Sequence, residues 1–235
     1  MDNTVGRLQS YFPQKELEVI VGTLLGDGRL EERSKGIKSY TARLRVHHNE
    51  KQKEYVWWKY RMLKNYVLQR PREIIWVNSK RNLREVSWYF HTRSLSEFRL
   101  LHECFYGNGS KIVPEKINQL LTPRSMAVWA MDDGTFTGFG FNFNTHSFSI
   151  ENQNRLRGVI RQKFEIETKL HKDRSQWKIA VNAENFPKLR NLIKPFLIPT
   201  MLYKIGVPVS THPPIVDGVA KNVLAANTSG LNLRS

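Results

Sequence analysis

Two aspartates occupy matched settings in this chain. Asp27 closes the apolar run Ile20-Val21-Gly22-Thr23-Leu24-Leu25-Gly26-Asp27-Gly28, and Asp133 closes Met126-Ala127-Val128-Trp129-Ala130-Met131-Asp132-Asp133-Gly134. A single aspartate-glycine after an apolar stretch is usually only a terminating turn. Two copies make a repeat, and if the copies pack together their acids meet. Paired carboxylates suit a hard divalent cation such as Mg²⁺, which takes oxygen ligands and is often held by one or two carboxylates plus phosphate oxygens. The chemistry expected there is attack of metal-activated water on a phosphodiester, once for each strand of a duplex. Asp132 stands where the first run has Gly26. It reads either as a helix-end acid with no role or as a donor of its backbone carbonyl to the metal.

The elements that must position these acids follow from spacing. Phe12-Pro13-Gln14-Lys15-Glu16 and Thr122-Pro123-Arg124-Ser125 carry helix-start chemistry, the second with an N-cap before a proline at the first helical position. Each run ends at a glycine suited to a helix C-cap. Gly22 and Gly26 share one helix face and permit close approach of another backbone, so the two runs are expected to pack side by side. Residues 41–48 alternate with period two, placing Ala42, Leu44 and Val46 toward a core and Thr41, Arg43, Arg45 and His47 outward. Residues 139–146 repeat that alternation. Helical segments at 50–68 and 151–164, strands at 73–78, 83–91, 168–172 and 176–182, and helices at 94–105 and 184–196 complete two similar halves. Ser79-Lys80-Arg81-Asn82 reads as a hairpin turn. Each half ends on a lysine, Lys111 or Lys204, at 84 and 71 residues beyond its acid. Trp57, Trp58, Trp88, Trp129 and Trp177 are assigned to the core.

Composition narrows the partner. The 235 residues include 37 Lys and Arg against 21 Asp and Glu, a formal net charge of +16. That favours a polyanion, nucleic acid or an acidic membrane face. Residues 1–115 carry 21 basic and 13 acidic side chains and residues 116–235 carry 16 and 8, so a neutral domain with a basic tail is excluded. One cysteine, Cys104, forms no internal disulfide and no cysteine-based zinc site, which suits a reducing compartment. No signal-peptide pattern follows Met1, and no apolar run approaches the roughly 18 residues that span a bilayer. A P-loop, a dinucleotide-type glycine fingerprint and zinc-finger spacing are all missing.

The two runs resemble the nine-residue motif of the LAGLIDADG homing endonucleases, in particular the single-chain members with two copies. Leu121-Thr122-Pro123-Arg124-Ser125, Leu192-Ile193-Lys194-Pro195-Phe196-Leu197-Ile198-Pro199 and Met201-Leu202-Tyr203-Lys204 are also similar to family phrases, and the likeness covers about residues 10–208. The resemblance implies an α/β (α+β) fold of two pseudo-symmetric αββαββα modules with antiparallel four-stranded saddle sheets and the motif helices at their interface. The modules would span 1–116 and 117–205, with an extended tail over 206–235. It also implies metal ligation by the eighth-position acids, Asp27 and Asp133, with the backbone carbonyls of Gly26 and Asp132 as further ligands, and catalytic roles for Lys111 and Lys204. The implied cofactor is Mg²⁺; Mn²⁺ or Ca²⁺ would fill the same sites, Ca²⁺ without cleavage. The implied activity is that of a monomer cutting both strands of a long DNA target across the minor groove, leaving 3′ overhangs, and encoded in a group I intron.

Arg43 and Arg45 lead the expected DNA contacts, since arginine pairs bidentately with guanine in the major groove. Arg29, His47, His48, Arg84, Asn142, Asn144, His146 and Lys178 complete the set, with His48 and His146 expected near the scissile phosphates to order solvent. Two other readings stay open: an RNA maturase on the same fold, with intron RNA as partner, and a DNA-binding protein without chemistry. Retention of both acids weighs against each. The expected location is intracellular, organelle-encoded or in a bacterial cytoplasm, with no membrane.

Overall fold

Both motif runs are helices, and their caps show why. A computed structural model describes residues 3–32, 41–78 and 83–208. Helix α1 (Thr4–Tyr11) leads through Pro13 into α2 (Gln14–Leu25), in which Val19 through Leu25 are all buried. A helix apolar on every face belongs inside a protein. The second motif helix starts with a capping box: Thr122 Oγ1 accepts from the Ser125 amide, and the Ser125 hydroxyl accepts from the Thr122 amide. The motif glycines do not act as left-handed C-caps. Gly26 has φ −101° and Gly134 φ −81°. What glycine supplies at the run ends is room: a Cβ on Gly28 would lie 2.3 Å from Thr23 Cγ2, and one on Gly134 would lie 2.3 Å from the Ala130 carbonyl.

Behind α2 come β1 (Arg29–Glu32), β2 (Ala42–Asn49), α3 (Lys53–Met62), β3 (Arg72–Asn78), β4 (Leu83–His91), α4 (Ser96–Phe105) and the short pair β5 (Tyr106–Gly107) and β6 (Ser110–Lys111). The second half runs α5 (Ile117–Leu120), α6 (Pro123–Asp133), β7 (Gly134–Phe136), β8 (Phe141–Phe143), α7 (Ile150–Phe164), β9 (Lys169–Asp173), β10 (Gln176–Val181), α8 (Phe186–Ile193) and a 3₁₀ turn at Pro199–Ile205. The two large sheets have the same order, β1-β2-β4-β3 and β7-β8-β10-β9, with every pairing antiparallel. The mixed α/β class with two four-stranded antiparallel sheets is therefore as expected.

Several details differ. Each sheet opens with a short strand directly behind the motif, β1 and β7, where alternation alone marks none. The strand expected at 139–146 shrinks to Phe141–Phe143, with both phenylalanines buried. Of the five tryptophans assigned to the core only Trp129 is fully buried; Trp57, Trp58, Trp88 and Trp177 are half-buried. On β2 the alternation holds through the whole strand, burying Ala42, Leu44, Val46 and also His48. The turn at Ser79–Asn82, and all but the first three residues of the expected tail, lie outside the described residues. Among the described residues no helix is long and apolar enough to cross a membrane.

Candidate metal and nucleic-acid site

The site begins with the contact between α2 and α6. A Cβ on Gly22 would stand 2.4 Å from the Ser125 carbonyl oxygen and 2.6 Å from Val128 Cβ; one on Gly26 would stand 2.4 Å from Asp132 Cβ. Val128 and Asp132 occupy the third and seventh motif positions of α6, the same positions that Gly22 and Gly26 occupy in the first motif. One helix supplies the hollows and the other fills them. That complementarity sets the two helix ends together, and the Asp27 amide donates to Asp132 Oδ2 at 3.3 Å.

The terminal lysines bind the helix ends in matching ways. Lys111 Nζ donates to the carbonyls of Gly26 and Gly28, both at 2.8 Å. Lys204 Nζ donates to those of Asp132 at 3.2 Å and Gly134 at 3.0 Å. The seventh and ninth motif carbonyls are thus held by an ammonium in each half, which also opposes the negative end of each helix dipole. Burial pushes both lysine pKa values down, against the pull of the neighbouring aspartates.

The carboxylates themselves are not equivalent. The Asp27 side chain is 45% exposed and open to a ligand. Asp133 is partly buried; burial first, then the Asp27 and Asp132 carboxylates, push its pKa up to about 7. Among the described residues no hydrogen bond or ion pair compensates the Asp133 carboxylate. Two crowded acids, one of them without a partner, fit a divalent cation.

Asp132 belongs to a different network. Its side chain is fully buried against a fully buried lysine, with Lys59 Nζ at 2.7 Å from Oδ1 and 2.9 Å from Oδ2. Lys59 also lies 3.3 Å from His48 Nε2 and 4.5 Å above the Tyr55 ring, and the Tyr55 hydroxyl donates to the Val128 carbonyl at 3.1 Å. Burial, then the Lys59 charge, push the His48 pKa down to about 3, so the imidazole is neutral at physiological pH. Oxygen and nitrogen atoms of Asp27, His48 and Asp132 come within 4.8 Å of one another. Within that trio both Asp132 oxygens already face the Lys59 ammonium.

No motif or repeat singles out Lys59. Its signal is a lysine four residues after Tyr55 on the buried stripe of α3, a cation that needs a carboxylate inside the fold.

The expected nucleic-acid residues are distributed unevenly. Arg29 and Arg43 each reach Glu31 at 2.7 Å and Arg45 reaches it at 3.6 Å, so three guanidinium groups are fanned out around one carboxylate. Burial would raise the Glu31 pKa, but hydrogen bonds from Arg43 and Arg29 outweigh it and hold the group below the ordinary range. His47 is exposed and its Nε2 lies 2.8 Å from Ser87 Oγ; Arg84 is exposed on β4. Asn142 is half-buried on β8, and Asn144 donates to Thr135 Oγ1 at 3.0 Å. The two histidines expected near the scissile phosphates differ in setting. His48 lies inside beside Asp27, whereas His146 and Lys178 both contact Asp173 Oδ2, at 3.2 and 3.0 Å. His48 is therefore a buried neighbour of the acids rather than part of an exposed binding face.

The sequence profile of the LAGLIDADG DNA endonuclease family matches residues 17–189. The chain is 30% identical over 195 residues to the cytochrome b mRNA maturase bI2 of Debaryomyces hansenii, covering 81% of this chain and 73% of that protein. It is 29% identical over 210 residues to the DNA endonuclease I-ChuI of Chlamydomonas applanata, covering 82% and 95%. Among solved structures, the homing endonuclease I-WcaI bound to its DNA recognition sequence matches with a TM-score of 0.75 at 22% identity, covering 87% of this chain and 92% of that one, which shows a shared fold. With both motif helices, their acids and both sheets in place, the chain belongs to the LAGLIDADG DNA endonuclease family.

Proposed function

We propose that this protein is a sequence-specific endonuclease that cuts both strands of a long DNA duplex in a divalent-metal-dependent hydrolysis. The observation that carries the reading is the pair Asp27 and Asp133. They leave two abutting helices at one end, form no ion pair with a lysine or arginine among the described residues, and stand directly before the first strands of two antiparallel sheets. Asp27 and Asp133 would hold Mg²⁺, whereas the carbonyls of Gly26 and Asp132, expected as further donors, already accept from Lys111 and Lys204. When bound, the cation lowers the pKa of a coordinated water and withdraws charge from the phosphoryl oxygens.

The remaining roles fall to this chain's own groups. An ammonium has three N–H donors. Lys111 and Lys204 each give two to motif carbonyls, leaving one to donate to a phosphate oxygen or to the attacking water as charge develops. Neutral His48, buried between Asp27 and Lys59, positions the Asp27 carboxylate. Arg29, Arg43 and Arg45, splayed by Glu31, present donors to base edges and phosphates. The family reading adds monomeric action through two modules, 1–116 and 117–205, cleavage across the minor groove with 3′ overhangs, and an origin in a group I intron of an organelle or bacterium.

The likeness to a cytochrome b mRNA maturase supports a second reading, binding of intron RNA on the same fold. Incubation with a randomised duplex library plus Mg²⁺, followed by sequencing of cut ends, separates the two. Defined double-strand cuts support the endonuclease; uncut DNA together with intron-RNA retention supports the maturase.

A further inference from the structure

A second cluster of positive charge lies well away from the acids. A cavity of ≈ 610 Å³ opens beside β3 and β4, and among the residues that line it are Arg43, Arg70, Arg72, Arg93, Tyr89 and His91. Register places it on the outward side of the first sheet. Arg72 pairs with Tyr89, Tyr89 with His47, and His91 with Arg45, and directly paired residues share a face. The cavity is thus continuous with the outward face that carries Arg43, Arg45 and His47.

Its charge is uncompensated. Among the described residues the Arg70 and Arg72 guanidinium groups make no ion pair or hydrogen bond, and that of Arg93 donates only to the Asn65 carbonyl, at 3.2 Å. All three are exposed. Glu31, the acid that Arg43 reaches, is already shared with Arg29 and Arg45. Arginines gathered around an open cavity without a carboxylate of their own suit the oxygens of a phosphodiester, which guanidinium groups bind in a forked geometry.

Distance separates this cluster from the cutting centre. His48 contacts Asp27, and Arg72 lies level with its neighbour His47 through Tyr89, two strands across the sheet or roughly 10 Å at the usual strand spacing. The second module is poorer in charge here. Carrying the strand pairing outward from the two motif acids sets Lys169, His171 and Asn182 against Arg70, Arg72 and Arg93, so three guanidinium groups in one module stand against one ammonium in the other.

We propose that the Arg70–Arg72–Arg93 cavity is a one-sided phosphate anchor, gripping the backbone of duplex DNA at the outer strands of the first sheet, in the first module's half-site only. It rests on the reading of duplex DNA as the substrate. Because phosphates carry no sequence information, the anchor contributes affinity and register without choosing bases.

The test is equilibrium binding of the cut-site duplex in Ca²⁺ across a salt series, with phosphate-ethylation interference, for wild type, Arg70→Gln/Arg72→Gln and the charge-matched control Arg7→Gln/Lys15→Gln. The expected result is a fall of about 2 in the slope of log affinity against log salt for the first variant, given about 0.9 per phosphate contact. Its preference for target over scrambled duplex should be unchanged, and one interference cluster in one half-site should disappear. An unchanged slope, an equal change in the control, loss of sequence preference, or matching clusters in both half-sites would each overturn the anchor. Wild type that retains no duplex overturns the substrate reading and the anchor together, whereas wild type that binds normally beside an unaltered variant overturns the anchor alone.

Discussion

The Lys59 ammonium and the Asp132 carboxylate form a fully buried ion pair, at 2.7 and 2.9 Å, between α3 and the end of the second motif helix. Its place is made by Gly26, whose missing Cβ is the space that Asp132 fills. The pair makes the meeting of the two motif helices asymmetric: one motif has glycine at its seventh position, the other an acid neutralised from α3.

Removing one partner should cost far more than removing both. Lys59→Met leaves a buried carboxylate without a counter-ion, a change of about 3–5 kcal/mol. Lys59→Met/Asp132→Ala replaces the pair with apolar groups and should recover most of that loss. Urea denaturation of the two variants measures the difference; a single variant as stable as wild type would refute the energetic reading of the pair.

The α2–α6 contact makes a steric prediction. A Cβ at Gly22 meets a backbone oxygen, that of Ser125, which no rotamer change can move. Gly22→Ala should therefore destabilise the fold by about 1–3 kcal/mol, and Gly22→Leu by more. Thermal melts check this, and an unaltered midpoint for Gly22→Leu would mean that the helices do not meet there.

Legibility in the sequence depends on whether the signal is local or repeated. Asp27, Asp133, Lys111 and Lys204 are legible because duplication marks them, and the structure brings each lysine to its own motif's carbonyls. Lys59 is obscure because its partner is 73 positions away in the chain and has no counterpart in the other motif. The burial of His48 follows from the strand itself, since the alternation that buries Ala42, Leu44 and Val46 reaches it two residues later. Strand β1 has four residues, too few for a period-two pattern to stand out, and is defined by its pairing with β2.

Loss of one of the two motif acids should separate cutting from binding. Asp27→Asn keeps the size and the backbone contact with Asp132 but weakens the cation site, so cleavage should fall to background while duplex affinity in Ca²⁺ stays within a few-fold of wild type. A gel assay for cutting beside a binding titration decides it. Normal cutting by the variant would remove Asp27 from the proposed mechanism.

Asp133 gives the pH dependence. The fold raises its pKa from 3.8 to about 7, so the folded protein holds a proton that the unfolded chain releases near pH 4. For a group shifted upward, the stabilising contribution is fully present below the unfolded value and disappears as pH rises through the folded one. In EDTA, wild type should therefore lose stability relative to Asp133→Asn between about pH 4 and pH 7, because the amide mimics the protonated acid and carries no charge at any pH. Saturating Ca²⁺ should reverse the order near pH 8, since the cation stabilises the ionised carboxylate and gains little from the amide. Melting curves of both proteins at pH 5 and pH 8, with EDTA and with Ca²⁺, give four differences. A wild-type deficit in EDTA that is the same at both pH values would show that the Asp133 carboxyl is ionised throughout, and that its crowding by Asp27 and Asp132 is relieved by something other than a proton.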